Sequence, residues 1–227
     1  MDDRFGMNRP QIILKAGITL DGRIADVAGQ SQWITGPEAR AAGHALRDAC
    51  DAILVGSGTL LADNPGLNTR FHGGRDARPI LLDTRLQCPA DARVLTAGLR
   101  PWIFCAHHAP DRVLAAEVIR VPGDGSGLDI HAVLRVLFER GIRRVLVEGG
   151  ARVHRTLFDE DLVDEVHLFI APTVFAGGPG WLGGPGMELP VAPRLTVRSV
   201  STVGSDVRII LCRDGVTESG PGGAAQK

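Results

Sequence analysis

Apolar residues in this chain fall in short runs broken by glycine, proline and charge. Residues 10–18 (PQIILKAGI), 51–55 (DAILV), 79–82 (PILL), 102–105 (WIFC) and 145–147 (VLV) are too short for buried helices. Their β-branched content suits strands covered on both faces. Residues 117–121 and 163–171 (VDEVHLFIA) read as two more strands. A different period appears between them. Thr35-Gly36-Pro37-Glu38 has the form of a capping box, with Thr35 as N-cap and Glu38 three residues on. The helix it opens runs to about Ala49. Its predicted buried stripe is Ala39, Ala42, Leu46, Ala49 and Cys50, with Arg40 and Arg47 off that stripe. Residues 129–140 (DIHAVLRVLFER) form a second amphipathic helix. Ile130, Val133, Leu134 and Leu137 point inward, and Gly141 is the stop. The final runs, 194–201 and 207–212, flank Gly204-Ser205 as an antiparallel hairpin.

Strands alternating with helices predict one α/β domain with a mixed, mostly parallel central sheet and helices at its sides. The closing hairpin adds antiparallel edges. Residues 1–9 are expected as a loose leader, 10–213 as the domain, and 214–227 as a disordered tail. Nothing repeats internally, and no linker divides the chain.

Bulk properties exclude more than they suggest. A length of 227 residues is ample for one core. The formal net charge of −1 gives no reason to expect nucleic acid or an anionic membrane as partner. No apolar run approaches the ~20 residues of a membrane helix, and residues 1–10 lack the apolar segment of a secretory signal. Cys50, Cys88, Cys105 and Cys212 form no CxxC pair, so reduced core thiols in a cytoplasmic protein are expected. The 7 histidines show no metal-ligand spacing, and no metal site is expected.

Chemistry concentrates where strands end. Residues 143–156 read as a buried strand, a Gly149-Gly150 turn and a helix. A helix start offers unpaired N–H groups and a positive dipole end, which together seat phosphate. Glu148 stands at the carboxyl end of that strand, where open α/β sheets place ligands. The same edge should collect Lys15, Arg47, Thr59, Asp63, Arg70, Thr84 and Arg85, a set rich in anion binders. Two phosphate-bearing ligands would account for it. Each residue also has a plain reading. Asp63 can organise the turn before Asn64-Pro65, Thr84 can cap, and Lys15 can reach solvent along its own stem. Gly56-x-Gly58 is not a dinucleotide fingerprint, because Leu61 holds the third glycine position.

Four motifs in order then carry a family resemblance: Lys15-Ala16-Gly17-Ile18-Thr19-Leu20-Asp21-Gly22-Arg23, Ser31-Gln32-Trp33-Ile34-Thr35, residues 61–70 (LADNPGLNTR), and Val147-Glu148-Gly149-Gly150. Together they resemble the reductase domain of bacterial riboflavin-biosynthesis proteins, the RibD C-terminal domain with its dihydrofolate-reductase-like fold. The resemblance spans about residues 10–213. It implies an NADPH-dependent reductase acting on 5-amino-6-(5-phosphoribosylamino)uracil, or its 2,5-diamino pyrimidinone analogue, to give a ribityl product. It also implies a homodimer. On that pattern Gly17, Trp33, Thr35, Thr59, Asp63, Thr84 and the turn from Gly150 to Thr156, with Ala151, Arg152 and Val153 in it, match cofactor positions, to which Gly149 is added. Ser31, Arg47, Leu67, Arg70 and Glu148 match substrate positions. Arg47 and Arg70 would grip the sugar phosphate while Glu148 accepts N–H bonds from the pyrimidine. Arg85, following the same strand as Thr84, is expected to help it bind the cofactor 2′-phosphate. Asp63 and Lys15 are the candidates for moving protons. The H-x-E and P-C-x-x-C signatures of a zinc deaminase are absent, so a stand-alone reductase is expected. A reductase of another heteroaromatic such as a pterin, or a non-catalytic NADPH-binding module, stand as alternatives.

Overall fold

The computed structural model describes residues 8–69 and 74–213. In chain order its elements are β1 (Gln11–Thr19), α1 (Pro37–Asp48), β2 (Ala52–Gly56), α2 (Ser57–Asp63), β3 (Arg78–Leu82), β4 (Trp102–Ala106), β5 (Glu117–Val121), α3 (Ile130–Glu139), β6 (Arg144–Gly149), α4 (Ala151–Asp159), β7 (Glu165–Ala171), β8 (Thr196–Val203) and β9 (Asp206–Cys212). A single 3-10 turn, Arg93–Leu95, lies between β3 and β4. The strands form one sheet in the order β5-β4-β3-β2-β6-β1-β7-β9-β8. Every pairing from β5 to β7 is parallel, and β7–β9 and β9–β8 are antiparallel. The mixed sheet and its closing hairpin are as the alternation predicts.

The centre of the sheet is buried on both sides because β1, β2 and β6 carry apolar residues on both faces. Ile12 and Leu14 of β1, Leu54 of β2 and Val145 and Val147 of β6 pack with Val133, Leu134 and Leu137 of α3 and Leu157 of α4. The alternate residues Ile53, Val55, Leu81 and Ile103 face the other way, against Leu60 of α2 and Val94 and Leu95. Ile13 and Leu146 meet Leu46 of α1 on that second face. Each fully buried side chain of this kind contributes about 1.5–3 kcal/mol. The parallel part of the sheet therefore has its carboxyl edge fixed by two packed layers.

Three local expectations need correction. Thr35 makes no cap. The N-cap of α1 is Gly36, without a side-chain bond of its own. The Gly36 N–H instead donates to Oδ2 of Asp206 at 2.7 Å, across the sheet from β9. A distant carboxylate thus does what the local box was expected to do. The buried stripe of α1 is Ala39 and Gly43; Ala42 and Leu46 are half-buried, and Ala49 is exposed. Arg47, placed off the stripe by periodicity, has only 14% of its side chain exposed. At the amino terminus, Arg9 is not loose. Its guanidinium meets both Asp164 oxygens at 2.7 and 2.8 Å, and Asp164 also accepts the Ile12 N–H. Residues 1–7 of the expected leader, and the expected tail, lie outside the described residues.

One irregularity shapes the functional edge. In the β2–β6 ladder Leu54 pairs with Val147, but the next pair is Val55 with Gly149. Glu148 is the extra residue of a bulge.

Candidate active site

A cleft of about 1060 Å³ runs along the carboxyl edge of β1, β6, β2 and β3. It collects Lys15, Gly17, Ser31, Trp33, Thr35, Arg47, Thr59, Asp63, Leu67, Thr84, Glu148, Gly149, Gly150, Ala151, Arg152 and Val153. Among the described residues, one predicted position, Arg85, is missing from this wall. Arg70 lies outside the described residues. Arg85 is exposed and does not line the cleft, because the chain turns at Asp83 (whose carbonyl accepts the Leu86 N–H) and carries Arg85 outward.

The best-defined feature is a buried ion pair. Glu148 accepts from Nε and Nη2 of Arg47 at 2.8 and 2.6 Å, while Nη1 donates to the Asn68 carbonyl at 2.9 Å. Burial on its own would push the Glu148 carboxyl up. The Arg47 charge and hydrogen bonds, with Lys15 and His44 nearby, hold it below the ordinary carboxylate range. It is therefore an ionised acceptor at neutral pH. Three of the five N–H donors of Arg47 are used within the protein, which leaves two for a ligand. To the expected roles of Arg47 at the sugar phosphate and Glu148 at the pyrimidine, the structure adds that Arg47 also holds Glu148.

Lys15 reaches the cleft from β1. Its stem passes Gly43, where an added Cβ would stand 3.4 Å from Cε, and Nζ sits 5.8 Å from the Phe169 ring centroid. The ammonium has no hydrogen-bond partner among the described residues. Asp63, at the end of α2, accepts from Oγ of Ser31 at 2.7 Å. That bond draws the loop 22–32 toward α2. The other end of the loop is clamped: the Thr19 hydroxyl and the N–H groups of Phe175 and Ala176 donate to Asp21, whose carboxyl is lowered to about 2 chiefly by Thr19. Trp33 is exposed, with Arg40 over its ring at 4.5 Å.

The two-glycine turn is tightly packed. Gly149 has φ +140, a backbone that side chains rarely adopt. A Cβ at Gly149 or Gly150 would meet Oγ1 of Thr59 at 3.3 or 3.0 Å. Gly150 caps α4 with no side-chain bond, and no acidic residue stands in the first turn, where Arg152 does. A cation against the positive end of a helix is unfavourable until an anion arrives. Behind the turn, Nδ1 of the buried His154 bonds the Trp181 carbonyl at 3.0 Å, and Gly183 N–H donates to the Ala151 carbonyl. Burial lowers the His154 pKa, so the ring is neutral.

The model of the RibD C-terminal domain matches residues 10–209. The chain belongs to this family. Two relatives show the range of its RibD-type members. The 2,5-diamino-6-ribosylamino-4(3H)-pyrimidinone 5′-phosphate reductase of Methanothermobacter thermautotrophicus is 36% identical over 210 residues, covering 88% of this chain and 96% of its own. The riboflavin biosynthesis protein RibD of Bacillus amyloliquefaciens is 35% identical over 209 residues, covering 88% of this chain and 56% of its own. The chain thus spans a little over half the length of that RibD relative. Among solved structures, the deaminase/5-amino-6-(5-phosphoribosylamino)uracil reductase of Thermotoga maritima gives a TM-score of 0.80 at 32% identity, over 90% of this chain and 57% of that one. The fold is the dihydrofolate-reductase-like one of RibD reductase domains.

Several RibD-domain cleft residues here escaped the sequence reading. Arg40 and Arg93 line the wall, as does His44. Arg40 was legible only as a helix-surface charge; its stacking on Trp33 depends on a loop path that periodicity does not give. Arg93 sits in a 3-10 turn between strands, where no pattern marks a site.

Proposed function

We propose that this chain is an NADPH-dependent reductase of riboflavin biosynthesis. It reduces the ribosyl side chain of 5-amino-6-(5-phosphoribosylamino)uracil, or of its 2,5-diamino pyrimidinone analogue, to the ribityl form. The observation that carries this reading is one cleft shared by the Gly149-Gly150 turn and the Arg47–Glu148 pair. Five cationic side chains line that cleft against two carboxylates, in a chain of net charge −1. Such a concentration of positive charge suits two phosphorylated ligands side by side.

The residues fit a dinucleotide. The uncapped start of α4, the Gly149–Gly150 backbone and the Thr59 hydroxyl form a close cradle for a diphosphate. NADPH supplies the hydride when bound. The chain's own residues do the rest. Glu148, held ionised by Arg47, accepts N–H bonds from the pyrimidine and fixes its orientation. The two remaining donors of Arg47, together with Arg70, serve the substrate's phosphate end. Lys15 carries a proton close to Glu148 for the ring oxygen released as the sugar opens. Ser31 and Asp63 bring the 22–32 loop over the site, where it excludes water; Trp33, Thr35 and Gly17 line the nicotinamide side, and Leu67 lines the substrate side. Positioning of this kind accounts for much of such a rate.

The four described cysteines are free and buried, which fits a cytoplasmic setting. None of the described helices is long and apolar enough to cross a membrane. A homodimer fits the edge strand β8, exposed from Thr196 to Thr202, with Val197 and Val200 facing solvent. Sedimentation at micromolar concentration should give twice the chain mass of 24.1 kDa.

The test of the activity is direct. Purified protein mixed with NADPH and each pyrimidine should consume reduced nicotinamide only when the pyrimidine is present. Binding of NADPH without turnover of either pyrimidine would overturn the proposal.

A further inference from the structure

Trp33 is a large side chain of the cleft with little to hold it. It is 68% exposed, and among the described residues no other aromatic ring lies against it. One cation does. The Arg40 guanidinium stacks over the indole at 4.5 Å from the ring centroid, and Nη1 of the same group donates to the Thr35 carbonyl at 2.6 Å. Thr35 in turn packs on β1, where a Cβ added at Gly17 would stand 3.2 Å from its Cγ2. One planar group therefore spans the ring of residue 33 and the backbone of residue 35, and ties both to α1. All four residues line the cleft.

Helix stability does not explain this arginine. The Arg40 N–H closes the first turn of α1 on the carbonyl of the N-cap Gly36 at 3.2 Å. A cation at that end opposes the helix dipole. No carboxylate pairs with it among the described residues. A lysine there is a point charge that could make the stack or the carbonyl bond; the flat guanidinium fork makes both. We infer that Arg40 is a positioning residue for the proposed reaction. It holds Trp33 and Thr35 as one wall, and that wall sets how the nicotinamide lies against the sugar. This rests on the proposed function, in which the wall meets the nicotinamide, and names the group that fixes it. Arg40 acts through Trp33 and does not itself grip a phosphate. Hydride transfer depends on the distance and angle between two carbons, so a wall that swings lowers the rate as well as the affinity. ADP, which has no nicotinamide, does not reach the wall.

The test combines steady-state kinetics with calorimetric dissociation constants for NADPH and ADP. The proteins are the wild type, Arg40→Ala, Arg40→Lys, Trp33→Ala and the double variant Arg40→Ala with Trp33→Ala. In Arg40→Ala, kcat/KM for NADPH should fall roughly twofold to thirtyfold, the range a cation–π contact supplies. KM for the pyrimidine and the affinity for ADP should stay at their wild-type values. Arg40→Lys should recover only part of the loss. Trp33→Ala should lose at least as much as Arg40→Ala, and the double variant little more than Trp33→Ala alone. Four results overturn the inference: ADP weakened as much as NADPH, an Arg40 loss just as large without Trp33, a loss carried by KM for the pyrimidine, or full activity in Arg40→Lys. A wild type that turns over pyrimidine, with Arg40→Ala its equal, overturns it alone. A wild type that turns over neither pyrimidine overturns the proposed function and this inference with it.

Discussion

Glu148 and Arg47 show how one residue pair can be both structural and chemical. The pair is nearly desolvated, with side chains 12% and 14% exposed. Removing the cation leaves a buried charge without its partner, so Arg47→Ala should cost about 3–5 kcal/mol of stability in urea denaturation. The pH dependence follows from the direction of the Glu148 shift. Its folded value lies below the ordinary 4.5, so its contribution is complete above that value and drains away as pH falls through the folded value. In Arg47→Ala burial acts without that cation, and the carboxyl should move the opposite way. Carboxyl-carbon NMR titration of Glu148 reads this shift; an unchanged midpoint in the variant would contradict it. Glu148 was legible because a charge directly after an apolar strand is unusual. Its partnership with Arg47 was not, because those residues stand 101 positions apart.

At the scale of elements, the start of α1 depends on a residue from the far end of the chain. Asp206→Ala should lower thermal stability by about 1–2 kcal/mol, the usual worth of an N-cap, while Thr35→Val should change it far less. Equal losses would restore the local capping box. The 22–32 loop has a separate dependence. Asp21 is held at about 2, below the ordinary 3.8, so its clamp on Phe175 and Ala176 is intact above pH 4 and fails only as pH falls through about 2. Asp21→Asn should therefore raise KM for NADPH with little effect on global unfolding. Nearly every strand and helix was readable from apolar period, with ends displaced by one or two residues. What the period hides is side-to-side order. Nothing in the runs themselves says that β6 inserts between β2 and β1, and that insertion is what carries Glu148 into the space between Lys15 and Thr59.

For the whole molecule, the proposed reading makes stability and occupancy linked quantities. NADPH at a hundred times its dissociation constant should add about 2.7 kcal/mol to unfolding, visible as a rise in Tm that inorganic pyrophosphate reproduces only weakly. Because four of the lining cations have no carboxylate bonded to them among the described residues, NADPH affinity should also fall steeply with added salt. Salt-independent affinity would point to a ligand held mainly by apolar contacts.

The skipped residue in the β2–β6 ladder has a consequence for anyone who would move this chemistry elsewhere. Grafting the acid, the paired glycines and the following helix onto a regular parallel sheet would restore strict alternation, and the side chain at that position would then answer to the pleat instead of the bulge. A transplant must carry the irregularity along with the amino acids, since the misfit in the ladder is part of what aims the acid.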